Sequence, residues 1–162
     1  MGSLQSLQIA SAETGTIRAQ FAALCWQPHG AEIDVLLITS RDTGRWIIPK
    51  GWPMPGLAPE AVAEQEAWEE AGAEGEVSSF RIGRYGYFKT FAPDSRMPCA
   101  VSVYGLRVRS LADTYPEVKE RRRAWFAQDV AAGLVDEPDL ASLIAGFVPP
   151  VIGRHPVISG EA

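Results

Sequence analysis

A mixed α/β domain, with its sheet covered on both faces, is the fold class this chain predicts, and three observations carry it. The run Glu32–Ser40 (EIDVLLITS) is dense in β-branched and apolar residues and reads as a buried strand. Residues 59–71 read as a helix that opens on Pro59, where the missing N–H costs nothing, and stops before Gly72. Further strand-like stretches lie on both sides of that helix, and strands interleaved with few helices favour a mixed sheet packed on both faces. The 162 residues, 46% of them hydrophobic, are enough for one domain with a substantial core. No apolar run approaches the ~20 residues needed to cross a bilayer.

The elements are expected in this order. Residues 1–15, small and polar, form a flexible arm ahead of a domain over residues 16–148. Thr16–Gln27 is the first strand and Glu32–Ser40 the second. A turn at Asp42-Thr43-Gly44 leads into a short strand, Arg45–Ile48. Pro49–Pro59 is a Gly/Pro-rich loop, and helix 59–71 follows. Strands near Glu76–Phe91 and Pro98–Val108 come next, then a loop rich in Asp, Pro and Glu. In the strand Arg121–Phe126, alternation sets Arg121 and Arg123 on one face and Arg122 on the other. Gln128–Phe147 makes one or two helices, and residues 149–162, with Pro149, Pro150 and Pro156, an irregular tail.

Several function classes are disfavoured at this level. A net charge of −5 gives no reason to expect nonspecific nucleic-acid binding, and the five Trp residues form no stacking platform. Membrane association is not expected either. Cys25 and Cys99 have no CxxC spacing and sit in apolar, strand-like surroundings, so they read as buried thiols compatible with a cytoplasmic location. His29 and His155 lack partners at metal-ligand spacing and read as solvent-facing. No P-loop, GxSxG or dinucleotide fingerprint is present.

The chemistry concentrates in residues 51–73, GWPMPGLAPEAVAEQEAWEEAGA. At 100° per residue, Glu69 and Glu70 fall about 60° and 40° either side of Glu66, so three carboxylates share one helix face. Like charges at these spacings repel, and the negative end of the helix dipole adds to the cost. Nothing nearby in sequence compensates, because Lys50 is the only basic residue between Lys50 and Arg81. A lone Glu-Glu pair would read as a solvated helix end. Three acids at the unfavourable end of a helix, behind a loop of tight turns, point instead to a hard divalent cation such as Mg²⁺, with Mn²⁺ as an alternative. Glu66 and Glu70, one turn apart, are the expected ligands, and Glu69 is the candidate general base for water attack on phosphorus.

This segment resembles the Nudix box: Gly, five residues, Glu, seven residues, then Arg-Glu-apolar-x-Glu-Glu-x-Gly-apolar. Gly51, Glu66, Ala67, Glu69, Glu70, Gly72 and Ala73 fall at matching positions. Leu57 and Gln65 stand where the family has a Glu and an Arg, so both members of that ion pair are absent together. The resemblance implies a Nudix fold, an α/β/α sandwich around a mixed β-sheet. It also implies a Gly51 carbonyl that completes the metal shell.

A narrower likeness covers roughly residues 16–147. Ser40-Arg41, Arg45-Trp46-Ile47-Ile48-Pro49 and Arg121-Arg122-Arg123-Ala124-Trp125-Phe126 are similar to the diphosphoinositol polyphosphate phosphohydrolase branch of the family. That likeness implies phosphate contacts from Arg18, Thr39, Ser40, Arg41, Lys89 and Arg121. The chain departs from the branch's PGGG loop with Pro49-Lys50-Gly51-Trp52-Pro53, which places Lys50 as a further cation beside the metal site. The expected activity is Mg²⁺-dependent cleavage of a phosphoanhydride in a small polyphosphorylated substrate, a diphosphoinositol polyphosphate or a diadenosine polyphosphate, by a monomer or homodimer. Alternatives are a pyrophosphatase for nucleoside triphosphates, ADP-ribose or nucleotide sugars, with Trp46 and Trp52 lining a base pocket, and a catalytically weak ligand-binding module.

Overall fold

The computed structural model describes residue 4 and residues 16–150. The arm expected over residues 1–15, residue 4 apart, and all but the first two residues of the tail 149–162, His155 included, therefore fall outside what is described.

Strand β1 (Arg18–His29) lies at the centre of a seven-stranded mixed sheet. It runs antiparallel to β2 (Glu32–Thr39) and parallel to β6 (Ser95–Leu111), in register from Arg18 opposite Cys99 to Trp26 opposite Arg107. Beyond β6 lies β5 (Ala73–Ala92), antiparallel and interrupted by register shifts between Val77 and Gly83. On the other side β2 carries β3 (Trp46–Ile47) and β7 (Arg123–Ala127). The turn between β1 and β2 needs Gly30, at φ 64°.

Helix α1 (Pro59–Ala71) covers one face, and α2 (Gln128–Leu134) with α3 (Pro138–Gly146) covers the other. The two cores follow from strand alternation. Ala23, Cys25, Leu36 and Ile38 point towards α1, while Ala22, Leu24, Trp26, Val35 and Leu37 point towards α2 and α3. The expected three-layer sandwich around a mixed sheet is what the chain forms.

Two departures from the expected elements bear on the site. The loop 49–59 contains a short strand, β4 (Lys50–Gly51), which pairs with Phe21 and Ala22 of β1. The Ala23 amide also donates to the Pro49 carbonyl. These bonds fasten the start of the loop to the central strand, a long-range effect that Gly and Pro content does not disclose. The last strand begins at Arg123 rather than Arg121, because the Arg122 amide donates to the Thr39 hydroxyl instead of a ladder partner. Side-chain alternation nevertheless holds: Arg121 and Arg123 reach towards α1, and the Arg122 guanidinium lies 5.6 Å from the Trp46 ring.

Candidate active site

Helix α1 carries the acids on its buried stripe. Val62, Ala63, Ala67 and Ala71 press on the sheet at helical spacing, and Glu66 and Glu70 belong to the same row. The small alanines let the helix approach β1 closely, which draws both carboxylates under the sheet edge at β4; they are 8% and 7% exposed. Gly72 ends the helix at φ 65°, with its amide reaching the carbonyls of Ala67 and Trp68.

The fixed end of the loop then meets the helix. The Glu66 carboxylate sits so close to Gly51 that any Cβ there would collide with it. The Lys50 amide donates to Glu70 Oε1 at 3.2 Å. Burial first, then the Glu70 and Glu69 charges, push the Glu66 carboxyl up to about 8. Burial also raises Glu70, opposed by Arg121 and Lys50. Two buried carboxyls that resist ionisation side by side call for a proton or a cation.

Glu69 is oriented differently. Its Oε2 accepts a 2.7 Å hydrogen bond from Gln65 Nε2. The residue standing at the Arg position of the box thus holds Glu69, while Leu57 at the Glu position is 45% exposed. Among the described residues no three His, Cys, Asp or Glu side chains gather into a ready-made metal cluster. The donor set still suits a hard cation: two carboxylates that need neutralising, beside a glycine whose missing side chain leaves the backbone approachable.

These groups open into a cavity of about 860 Å³. Of the expected site residues it is lined by Ser40, Arg41, Lys50, Gly51, Glu66, Glu69, Glu70, Lys89 and Arg121. Arg18 and Thr39 are not among its lining residues. Arg18 is exposed at the start of β1, and the buried Thr39 spends its hydroxyl on Arg122 and its carbonyl on Arg121. Ser40 closes the β2–β3 turn, its Oγ accepting from the Arg45 amide at 3.2 Å.

The absence of a compensating charge in sequence is corrected by tertiary structure. Arg121 pairs with Glu70 at 3.2 Å and with Glu117 at 2.8 Å, and Arg123 donates to the Ala71 carbonyl at 2.7 Å. Two cations some fifty residues downstream thus serve the helix end that no neighbour in sequence could. The structure also adds Gln20, Arg45, Tyr87, Phe88, Phe91 and Glu117 to the cavity wall. The signal that could have found Gln20 is its polar side chain in an otherwise apolar strand; it accepts the Tyr87 hydroxyl at 2.7 Å and is 3% exposed. Trp46, expected as a possible base-pocket wall, packs on Phe126 instead. Trp52 does line the cavity. Among the described residues His29 is exposed and pairs with Asp34 alone, and both cysteines are buried and free.

Comparison with known proteins agrees with this architecture. A sequence model of the NUDIX domain matches residues 16–147. Nudix hydrolase 16, mitochondrial, of Arabidopsis thaliana is 32% identical over 123 residues, 73% of this chain and 67% of that protein. The human diphosphoinositol polyphosphate phosphohydrolase 3-beta is 30% identical over 107 residues, 65% of this chain and 61% of that protein. The chain therefore spans roughly two thirds or less of these curated relatives. A Caenorhabditis elegans Ap4A hydrolase binary complex superposes with a TM-score of 0.59 at 18% identity, covering 79% of this chain and 93% of that one, a likeness of fold. No helix among the described residues is long and apolar enough to cross a membrane.

Proposed function

The chain belongs to the Nudix hydrolase family, and from that membership we propose that it hydrolyses a phosphoanhydride bond in a small polyphosphorylated molecule, with Mg²⁺ or Mn²⁺ held by Glu66, Glu70 and the Gly51 carbonyl. The observation that carries this reading is the pair of buried carboxylates facing one polar cavity beside Gly51. A divalent ion there supplies charge neutralisation on phosphate oxygens and acidifies a coordinated water. Every other task falls to the protein. Lys50 and Lys89 hold substrate phosphates, with Ser40 and Arg41 at the turn closing one side. Glu69, fixed by Gln65, is within the cavity to take the proton of the attacking water. The β4 pairing with β1 fixes Lys50 and Gly51 against α1, so phosphate and acids meet in a set geometry.

Between the two substrate groups, the cavity's own chemistry favours the nucleotide type. By formal charge, before any metal binds, its lining balances: Arg41, Arg45, Lys50, Lys89 and Arg121 against Asp42, Glu66, Glu69, Glu70 and Glu117, five of each sign. An inositol bearing phosphates all round would need a surplus of cations. Trp52 and Phe91, 36% and 55% exposed, offer flat apolar surface at the same cavity, as a base would use. The diphosphoinositol reading keeps the support of sequence likeness.

The test is release of phosphate or pyrophosphate with Mg²⁺ from diadenosine polyphosphates, diphosphoinositol polyphosphates, ADP-ribose and nucleoside triphosphates. Turnover highest on a dinucleoside polyphosphate is the expected result. Tight binding of one compound with turnover of none would replace the enzyme by a ligand-binding module.

A further inference from the structure

The likeness to polyphosphate-binding relatives assigns Arg121 to the substrate, but its surroundings assign it elsewhere. We propose that Arg121 is a built-in counter-ion of the metal site, a positioning residue that holds Glu70 when the cation is away and weakens cation binding when it arrives. This rests on the reading of Glu66 and Glu70 as metal ligands.

Every nitrogen of the guanidinium makes a hydrogen bond. Nε donates to Glu117 Oε1 at 2.8 Å, Nη1 to the Thr39 carbonyl at 3.1 Å, and Nη2 to Glu70 Oε2 at 3.2 Å. The side chains of Arg121 and its partner Glu70 are only 7% and 9% exposed. An arginine meant for phosphate presents a free fork of N–H groups to solvent. Here each of the three nitrogens already donates one N–H, to two carboxylates and a backbone carbonyl from three separate segments. Lys50 and Lys89, in contrast, line the same cavity with no carboxylate at ion-pair distance among the described residues. The cavity therefore has cations for a substrate without drawing on Arg121.

The position also has an energetic logic. Glu66, Glu69, Glu70 and Glu117 line one cavity, and the burial of Glu66 and Glu70 makes their mutual repulsion costly. Removing one partner of a buried pair leaves a charge that nothing offsets. Arg121 supplies that offset in the metal-free protein and occupies Glu70 Oε2 while doing so. A divalent ion arriving at Glu70 meets a fixed positive charge next to it, which lowers its affinity and eases its release.

The experiment compares wild type with Arg121→Gln and Arg121→Lys, using melting temperature without metal and Mg²⁺ affinity by calorimetry or thermal-shift titration. Metal-free Arg121→Gln should melt about 5–10 °C below wild type, from the loss of one partner of a buried pair. It should bind Mg²⁺ about tenfold more tightly, since a like charge beside the ion is gone. Arg121→Lys, which keeps the charge without the fork, should fall between the two in both measures. Should Arg121→Gln be unfolded without metal, Mg²⁺ must restore its fold, and failure to do so overturns the proposal. Unchanged melting and Mg²⁺ affinity, with a KM that climbs with substrate phosphate number, would return Arg121 to the substrate. Lower melting with unchanged Mg²⁺ affinity would reduce it to packing. A wild-type protein that shows no Mg²⁺ response would overturn the metal reading along with this one, whereas a wild-type response that the variants do not alter overturns this one alone.

Discussion

The cavity's five cations form two populations. Arg41, Arg45 and Arg121 are each bound to a carboxylate, on Glu120, Glu137 and Glu70 with Glu117 respectively, at 2.8–3.2 Å. Lys50 and Lys89 rest on aromatic rings instead, 4.8 Å from the Tyr87 centroid and 6.0 Å from that of Phe91. Both sets look alike in the sequence, where each is a basic residue near the acidic box. Their difference is one of side-chain chemistry: the planar, forked guanidinium bridges several acceptors at once, whereas the ammonium on its flexible stem stays available as a point charge. The arginines frame the cavity in ion pairs, and the lysines line it without one among the described residues.

The largest effect expected from this division concerns neither population but the acids they surround. Glu70→Gln keeps the shape of the side chain, removes one proposed metal ligand and lifts the repulsion with Glu66. Turnover should fall by at least about 100-fold, since even outer-shell partners of a metal commonly cost 10–100-fold. The melting temperature without metal should fall less than in Arg121→Gln, because Arg121 keeps its pairing with Glu117 while the repulsion with Glu66 is relieved. Near wild-type turnover would remove Glu70 from the metal site.

Next in size are the lysines. Lys50→Met and Lys89→Met should each raise KM by roughly tenfold, from loss of a charge-assisted hydrogen bond, with kcat much less affected. Lys50 adds a sign that separates function from structure. Burial pulls its ammonium down to about 8 from an ordinary value near 10.5. A base whose pKa falls on folding costs stability at every pH below the folded value, and the cost fades as pH rises from about 8 towards 10.5. Lys50→Met should therefore melt higher than wild type at neutral pH while binding substrate worse. A variant that melts lower would make Lys50 a structural residue.

The acids give a pH test of smaller amplitude. With Glu66 pushed up to about 8 from 4.5, its protonated form is favoured by folding. That contribution is complete below about pH 4.5 and is lost as pH rises through about 8. The metal-free protein should lose stability across this window. Added Mg²⁺, which binds the ionised form, should then raise the melting temperature more at pH 8 than at pH 5. An equal or smaller shift at pH 8 would mean that the ion does not bind at Glu66.

What the sequence made legible, and what it hid, follows the same line between local and long-range causes. Helix α1 was readable to the residue, because Pro59 and Gly72 are local signals and the acids repeat at helical spacing. Strand β2 was readable because it is buried on both faces and rich in Val, Leu and Ile. The pairing of Lys50–Gly51 with β1 was not, since two residues carry no periodicity and the bond is set by a strand thirty residues earlier. The partner of Glu70 was hidden for the same reason: Arg121 lies 51 residues away, and only the folded sheet brings it under the helix. Gln65 is a middle case. Its mismatch with the family box was visible, but its hydrogen bond to Glu69 depends on a rotamer that no spacing rule fixes.

The smallest prediction tests the arginine population where it is most exposed. Arg41 and Glu120 meet at 2.9 Å with side chains 57% and 46% exposed, so solvent screens the pair and its worth to stability is small. If it frames the cavity as Arg45 and Arg121 do, Glu120→Ala should leave the melting temperature within about 1–2 °C of wild type, the shift expected from a pair worth a few tenths of a kcal/mol. Yet Glu120 also decides what Arg41 is free to do. Once released, an exposed guanidinium at the cavity edge can turn to the substrate, so Glu120→Ala should lower KM about two- to threefold, and Arg41→Ala in that background should abolish the gain. A KM unmoved by Glu120→Ala would put Arg41 with the fixed frame. A KM lowered as described would put it with the lysines and redraw the boundary between the two sets at solvent exposure rather than at residue type.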